Sequence, residues 1–174
     1  GTFYLLVTDR YRDGTGTYSL SLQRVNNPSG AISLNFGQTT SGNIDSYAKI
    51  VTYQFSANAN DKIYIRFAGL IQTSGNFSPY LELYDITGTN LAYSSSGVLN
   101  ATIATAGNLY LLVMDDSRNG TGTYELTLQC TNNPANVNNL NYNSLTEDSL
   151  EVVTGINVYS FTANANDIIT ICSS

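Results

Sequence analysis

The sequence predicts an all-β fold organised as tandem antiparallel β-sandwich domains, and three observations lead to this prediction. Of the 174 residues, 59 are Asn, Ser or Thr, 42% are hydrophobic and only 11% carry a charge. Thr, Tyr, Val and Ile favour strands, whereas Asn, Gly and Ser favour turns. Short segments alternate between apolar and polar residues, and the chain contains an internal repeat of domain length.

The internal repeat has a spacing of 106 residues. Residues 1–28 match residues 107–134 at 18 of 28 positions. Residues 53–68 match residues 159–174 at 9 of 16 positions with the same offset. A period of this length is typical of whole domains rather than of the short units of a solenoid.

This period predicts how the chain is divided. We expect the C-terminal part of a first repeat in residues 1–28, a complete β-sandwich repeat in residues 29–134 and the N-terminal part of a further repeat in residues 135–174. Such a chain is either a window from a longer tandem array or a subunit whose partial domains are completed by neighbours.

Alternation of side chains predicts the individual strands. In Tyr18–Gln23 and in its copy Tyr124–Gln129, Tyr and Leu point to one face, which is typical of half-buried antiparallel strands. In a later strand, Leu81 and Leu83 should face the core while Glu82 faces outward. Further strands are expected near residues 31–36, 49–56, 63–67, 80–86, 90–95, 98–104 and 109–113. Roughly eight short strands separated by turns predict a β-sandwich.

Several of these segments resemble a known bacterial family, the pre-peptidase C-terminal domain. The resemblance lies in Tyr53-Gln-Phe55 with Ala59–Ile63, in Pro79–Asp85, in Gly107–Val113 and in Gly122–Leu126. It implies a jelly-roll-like β-sandwich belonging to a secreted or surface protein. Some members of that family bind calcium or matrix polymers.

Composition and charge disfavour several classes of function. The chain has no His, so it lacks the residue on which Ser/His/Asp relays and most zinc sites depend. Its net charge of −6, with 7 basic residues, disfavours nucleic acid as a partner. Its longest apolar run, Leu109–Met114, is far shorter than the roughly 18 residues that a membrane helix needs. We therefore expect neither an enzyme nor insertion into a membrane.

A calcium site is one interpretation of the loop that precedes the Gly-Thr-Gly-Thr-Tyr motif. The candidate ligands are Asp9 and Asp13 in the first copy and Asp115, Asp116 and Asn119 in the second. Calcium takes six to eight oxygen ligands in flexible geometry, which carboxylate and amide groups around a glycine can supply. The alternative is a solvated turn in which Asp and Asn accept hydrogen bonds from their own backbone.

A second polar cluster favours a turn over a ligand site. Asn58, Asn60 and Asp61 precede an apolar strand and recur one repeat later as Asn164, Asn166 and Asp167. Asn and Asp immediately before a strand are typical of a tight turn.

Cys130 and Cys172 are candidates for a disulfide bond. One repeat earlier their positions are occupied by Arg24 and Arg66, so both have changed together. We expect a bond between neighbouring domains or subunits in an oxidising compartment, with two unrelated thiols as the alternative.

Four tyrosines have no obvious place in a core: Tyr11, Tyr64, Tyr93 and Tyr142. Exposed tyrosines at these positions would stack on sugars or pack against another subunit. The alternative is that they are scattered over the surface without a shared function.

Together these features predict an extracellular or cell-surface structural repeat protein. It would form a filament, stalk or sheath through association with copies of itself or with adjacent repeats of its own chain. The alternative is a calcium-assisted adhesion module of a secreted protein that binds a polysaccharide or a matrix polymer.

Overall fold

The computed structural model describes residues 1–173 and is all-β, as the sequence predicts. No helix occurs among these residues, and accordingly none is long and apolar enough to cross a membrane. The strands are β1 (Ile32–Ser33), β2 (Gln38–Ile44), β3 (Ile50–Ala57), β4 (Lys62–Ser74), β5 (Pro79–Asp85), β6 (Asn90–Ser94), β7 (Val98–Thr102), β8 (Gly107–Asp115), β9 (Thr121–Cys130), β10 (Val137–Asn139) and β11 (Val158–Ser160).

Strands β1–β9 form a β-sandwich of two sheets. The first sheet, sheet A, has the order β1-β3-β8-β5-β6, and the second, sheet B, has the order β2-β9-β4-β7. All pairings in both sheets are antiparallel except that of β1 with β3. Strands β10 and β11 form a separate parallel pair in the C-terminal segment.

The core lies between the two sheets and follows the predicted alternation. Leu81 and Leu83 are fully buried, whereas Glu82 lies on the outer face of sheet A. On β9, an inner strand of sheet B, Leu126 and Leu128 are also fully buried. The core between the sheets comprises mainly Leu, Ile, Val, Phe and Tyr side chains from both of them. The predicted strands of residues 49–134 are therefore present, within a few residues of the expected bounds except that β4 continues to Ser74, seven residues beyond its expected end.

Strand β2 was not expected from the sequence. Its letters, QTTSGNI, lack the alternating apolar residues of a half-buried strand. Gly42 explains the difference, because a Cβ atom there would lie 2.4 Å from Cζ of Tyr124. The ring of Tyr124 fills the space that an apolar side chain of β2 would otherwise occupy.

The prediction of a strand at Tyr18–Gln23 is wrong for the single chain. Residues 1–28, all of which the structure describes, form no strand, and Tyr18, Leu20 and Leu22 are exposed. In the complete unit the equivalent strand, β9, lies between β2 and β4. Residues 1–28 have no such neighbours here, and isolated strands are not stable in water.

Candidate functional site

The loop between β8 and β9 is organised by the carboxylate of Asp115. Its Oδ1 accepts a hydrogen bond from the backbone N–H of Ser78 at 2.8 Å. Its Oδ2 accepts hydrogen bonds from the backbone N–H groups of Asn119 and Gly120, both at 2.9 Å. Asp115 is only 1% exposed. A buried carboxylate needs such donors, and here it connects the β8–β9 loop to the start of β5.

The loop in residues 9–14 has the same local geometry. Oδ2 of Asp9 accepts hydrogen bonds from the backbone N–H groups of Asp13 and Gly14, at 3.1 and 3.3 Å. These donors, that of Asp13 foremost, lower the pKa of the Asp9 carboxyl group. Arg12 and its equivalent Arg118 both have left-handed backbone angles, with φ of 63° and 61°. The two copies of this loop therefore fold alike, although only the second is flanked by paired strands.

This geometry bears on the five candidate calcium ligands. The carboxylate of Asp115 accepts hydrogen bonds from three backbone N–H groups. The other four candidates, Asp9, Asp13, Asp116 and Asn119, are exposed. Within residues 1–173, the structure brings together no group of three or more His, Cys, Asp or Glu side chains able to hold a metal ion. The arrangement matches the turn interpretation of the loop, in which the carboxylate accepts hydrogen bonds from nearby backbone.

The turn before β4 recurs 106 residues later. The backbone N–H of Asn58 donates to Oδ2 of Asp61 at 2.8 Å, and the N–H of Asn164 donates to Oδ2 of Asp167 at 2.7 Å. Asn60 and its equivalent, Asn166, adopt φ angles of 70° and 73°. The predicted tight turn is confirmed in both copies.

Pairing between strands also recurs with this offset. In the complete unit, Ile32 pairs with Tyr53 and the N–H of Leu34 donates to the carbonyl oxygen of Gln54 at 2.9 Å. In the C-terminal segment, Asn138 pairs with Tyr159. There the N–H of Leu140 donates to the carbonyl oxygen of Ser160 at 2.8 Å. The β10–β11 pair thus occupies the positions of β1 and β3 moved by one period of the sequence.

The linker that follows β9 is held by hydrogen bonds to the sandwich. The side-chain amide of Gln129 both donates to the carbonyl oxygen of Ala135 and accepts from its N–H, each at 3.0 Å. Asn132 accepts from the N–H of Lys62 at 2.8 Å. Asn136 donates from its side chain to the carbonyl oxygen of Gly37 at 2.8 Å. Because these bonds span both sides of Pro134, the linker leaves the sandwich in a defined direction.

The two flanking segments lie against opposite faces of the sandwich. On the outer face of sheet A, Nε2 of Gln23 donates to Oγ1 of Thr52 at 2.7 Å, and Val25 packs against an apolar cluster. On the outer face of sheet B, the guanidinium group of Arg66 donates to the carbonyl oxygen of Gly155 at 3.0 Å. The hydroxyl oxygens of Thr154 and Thr127 are 3.0 Å apart on the same face.

Cys130 and Cys172 are free thiols in the single chain, and the disulfide expected between neighbouring domains or subunits stays a prediction. Cys130 is buried, and its Sγ donates to Oδ1 of Asn132 at 3.2 Å. Cys172 is exposed. The inward direction of the Cys130 side chain keeps its sulfur within the sandwich.

The four candidate tyrosines are not brought together into one site. Tyr11 and Tyr142 are exposed on the flanking segments, and Tyr142 makes an edge contact with Phe161. Tyr64 is half-buried on the outer face of sheet B. Tyr93, at 69% exposed, lies on the outer face of sheet A.

Tyr93 belongs to an aromatic patch that the sequence did not reveal. Its ring lies 6.3 Å from that of Tyr80, and the guanidinium carbon of Arg118 lies 5.6 Å from the Tyr80 ring centre. Glu82 lies on the same face, opposite Tyr93, and its carboxylate accepts a hydrogen bond from the hydroxyl of Tyr84 at 3.0 Å. The alternation in β5 places Tyr80, Glu82 and Tyr84 together, and this pattern could have indicated the patch.

Among known proteins, the chain is similar to several solved structures. No protein-family model matches the chain, and no curated protein matches it. The chain is similar to the pre-peptidase C-terminal domain of a collagenase from Bacillus anthracis, with a TM-score of 0.47 and 22% identity over 60% of this chain and 99% of that one. It is also similar to PliG, a periplasmic inhibitor of g-type lysozyme. For PliG from Aeromonas hydrophila the TM-score is 0.43 with 10% identity, covering 57% of this chain and 96% of that one. For PliG from Salmonella Typhimurium the TM-score is 0.42 with 20% identity, covering 58% and 98%.

Proposed function

We propose that the chain is an extracellular structural repeat protein, in which β-sandwich units of 106 residues are joined in a fixed orientation to build a filament, stalk or sheath. The observation that carries this proposal is the recurrence of the β1–β3 pairing in β10 and β11 with the offset of the sequence repeat. The same backbone pairing at the same offset supports a second unit of the same fold following the first.

The mechanism is mechanical and depends on the junctions. The amide of Gln129 holds the backbone of Ala135 by two hydrogen bonds, and Pro134 stiffens the segment between them. On the other side of the unit, Pro28 is buried and Val25 packs against the outer face of sheet A. Junctions fixed in this way would transmit force from unit to unit without swivelling, which is what a stalk or sheath requires.

Composition supports a binding or structural role over catalysis. A chain without His and with 11% charged residues offers few groups for acid–base chemistry. Asn, Ser and Thr supply uncharged polarity to the surface instead. We therefore assign no catalytic residue. We also propose that the protein lies outside the cell or on its surface.

Electron microscopy of the purified 174-residue protein tests this function. Structural units in series should produce filaments with an axial spacing of roughly 30–40 Å for each sandwich, the diameter of a domain of this size. Single, well-separated particles at all concentrations would contradict a filament built from this chain. The reference sample is the same protein in mild denaturant, in which the assemblies should dissolve.

The second candidate function is adhesion to a polysaccharide or matrix polymer. The patch formed by Tyr80, Tyr93 and Arg118 favours it, because exposed aromatic rings stack on sugar rings and charged groups bind their hydroxyls. Screening on a glycan array with wild-type protein and Tyr93→Ala tests this candidate. Binding that the substitution abolishes would support adhesion, and Tyr11→Ala is the control at another exposed tyrosine.

Calcium would assist such adhesion only if the acidic loops bind it. Calorimetric titration of the protein with Ca²⁺ measures this directly. Binding heat together with a higher melting temperature would support the calcium-assisted form of the second candidate. Titration without heat and without a change in melting temperature would contradict calcium binding by these loops.

A further inference from the structure

The outer face of sheet A carries a carboxylate with a tyrosine on either side of it along β5. Tyr80, Glu82 and Tyr84 share this face because they alternate with the buried Leu81 and Leu83. The Oε2 atom of Glu82 accepts a hydrogen bond from the hydroxyl of Tyr84 at 3.0 Å. A carboxylate offers about four acceptor sites, so this single hydrogen bond leaves acceptor capacity for a ligand.

The charge of Glu82 has no cationic partner within the part of the chain that the structure describes. Among residues 1–173 the one ion pair joins Lys49 to Asp45, so no Lys or Arg nitrogen lies within 4.0 Å of the Glu82 carboxylate. Burial first and the charge of Glu82 second raise the pKa of the Tyr80 hydroxyl group. Glu82 is therefore a half-buried, unpaired negative charge on an aromatic face.

The guanidinium group of Arg118 is held by other groups of the patch. Its Nη1 donates to the backbone carbonyl oxygens of Asp115 and Asp116, to the second at 3.3 Å. Its central carbon lies 5.6 Å from the ring centre of Tyr80, which is a cation–π contact. The patch and the adjoining loop thus combine three carboxylates with one guanidinium group, and their net charge is negative.

Tyr93 supplies the open aromatic ring of the patch. It is 69% exposed and stands directly opposite Glu82 in the antiparallel β5–β6 ladder. Opposed residues of such a ladder have Cβ atoms about 4.5–5.5 Å apart. Neither of the two cation–π contacts within residues 1–173 involves the ring of Tyr93. A cation placed over this ring would therefore lie within reach of the Glu82 carboxylate.

We propose that Tyr80, Glu82 and Tyr93 bind a polysaccharide of amino sugars that carry free ammonium groups. The sugar ring stacks on the rings of Tyr93 and Tyr80, which lie 6.3 Å apart and are inclined by 36°. The ammonium group of the sugar binds the carboxylate of Glu82. This inference rests on the second candidate function, adhesion to a polysaccharide, and names the chemistry of the polymer.

The open shape of the patch favours a polymer over a small cation. Small ligands are bound in concave sites that bury most of their surface, whereas Tyr93 projects from the outer face of a sheet. A polymer repeats the same weak contact at many of its sugars, which raises the overall affinity. The net charge of −6 also attracts a cationic polymer. A neutral polysaccharide would gain no ion pair from Glu82.

The test compares two sugar hexamers that differ only in acetylation, those of glucosamine and of N-acetylglucosamine. The 174-residue protein is titrated with each hexamer in a calorimeter, at low ionic strength and at a mildly acidic pH that keeps the glucosamine amino groups charged. A cation–π contact and a partly exposed ion pair each contribute modestly, so the glucosamine hexamer should bind about fivefold to thirtyfold more tightly. High salt should reduce this preference.

Four variants separate the carboxylate from the ring. Glu82→Gln keeps the size of the side chain and removes its charge, so it should bind the two hexamers within about twofold of each other. Glu147→Gln changes the net charge equally at an exposed position outside the patch and should keep the preference. Tyr93→Ala should weaken the binding of both hexamers by roughly fivefold or more, whereas Tyr11→Ala should weaken neither. Unfolding curves that match wild type confirm that each variant folds.

Four outcomes would overturn the inference. Equal binding of the two hexamers by the wild-type protein would do so and leave adhesion to a neutral polysaccharide standing. A preference that survives Glu82→Gln would show that the cation is bound elsewhere. Hexalysine bound as tightly as the glucosamine hexamer would show that the patch recognises a basic peptide. Binding of neither hexamer would also contradict the inference, whereas the glycan array and the electron microscope test the two candidate functions independently of it.

Discussion

The hydroxyl oxygens of Tyr53 and Tyr124 lie 2.9 Å apart in the centre of the sandwich. Tyr53 belongs to β3 of sheet A and Tyr124 to β9 of sheet B, so this hydrogen bond joins the two sheets. Both side chains are fully buried, and neither hydroxyl group can exchange its partner for water without opening the core. Both tyrosines recur in the flanking segments, as Tyr159 and Tyr18.

Removing one of these hydroxyls should destabilise the sandwich. Tyr53→Phe and Tyr124→Phe each leave a buried hydroxyl without a partner, which costs about 1–3 kcal/mol of unfolding free energy. The double variant should lose less than the sum of the two, because no hydroxyl is then left unpaired. Urea unfolding followed by circular dichroism measures these values. Tyr93→Phe, at an exposed hydroxyl, is the control and should change stability by less than about 0.5 kcal/mol. Additive losses would contradict the pairing.

The same pair predicts a loss of stability at high pH. Burial raises the pKa of both Tyr53 and Tyr124 above the ordinary value. In the unfolded chain these groups ionise near pH 10, whereas in the folded chain they stay protonated to higher pH. Their contribution is therefore complete below about pH 10 and declines as the pH rises further. Melting temperatures between pH 8 and 12 should fall less steeply for the double Phe variant. Identical profiles would show that other groups cause the decline.

Gly42 should tolerate no side chain, although it lies in a polar edge strand. Gly42→Ala places a Cβ atom 2.4 Å from the Tyr124 ring, which must move together with its hydrogen bond to Tyr53. We expect a loss of about 1–3 kcal/mol, which is typical of overpacking. Ser41→Ala, one residue away on the outer face, is the matched control and should be nearly neutral. Thermal unfolding of both variants gives the comparison, and equal stability would contradict the position of β2.

Asp115 should matter for stability through its hydrogen bonds. Asp115→Asn replaces one accepting oxygen by a donor that faces backbone N–H groups, so the loop should lose about 1.5–3 kcal/mol. Asp116→Asn is the control, because Asp116 is exposed. Thermal unfolding with and without Ca²⁺ distinguishes the two interpretations of the loop. A loss seen only when Ca²⁺ is present would contradict the backbone role.

The fold of residues 49–134 could be predicted because alternation and burial agree there. Leu81 and Leu83 face the core and Glu82 faces outward, as the two-residue period requires. Strand β2 could not be predicted, since the group that fills its inner face is the ring of Tyr124, 82 positions after Gly42 in the sequence. The segment Tyr18–Gln23 has the right alternation but no paired strand, because pairing depends on neighbours that alternation does not specify.

The candidate site was predictable only where it depends on local sequence. The turn at Asn58–Asp61 and its copy follow from residue types alone. In contrast, the sequence could not distinguish a metal ligand from the backbone acceptor that Asp115 is, because its donor Ser78 comes from another loop. The patch of Tyr80 and Tyr93 likewise depends on which strands are neighbours.

The central claim is that β-sandwich units follow one another in a fixed orientation, set by a linker that is hydrogen-bonded to the sandwich. Hydrogen–deuterium exchange of the wild-type protein tests it most directly. The backbone amide of Ala135, which donates to the side chain of Gln129, should be protected from exchange, as the amides of β8 and β9 should be. An Ala135 amide that exchanges as freely as in an unstructured peptide would contradict a fixed junction.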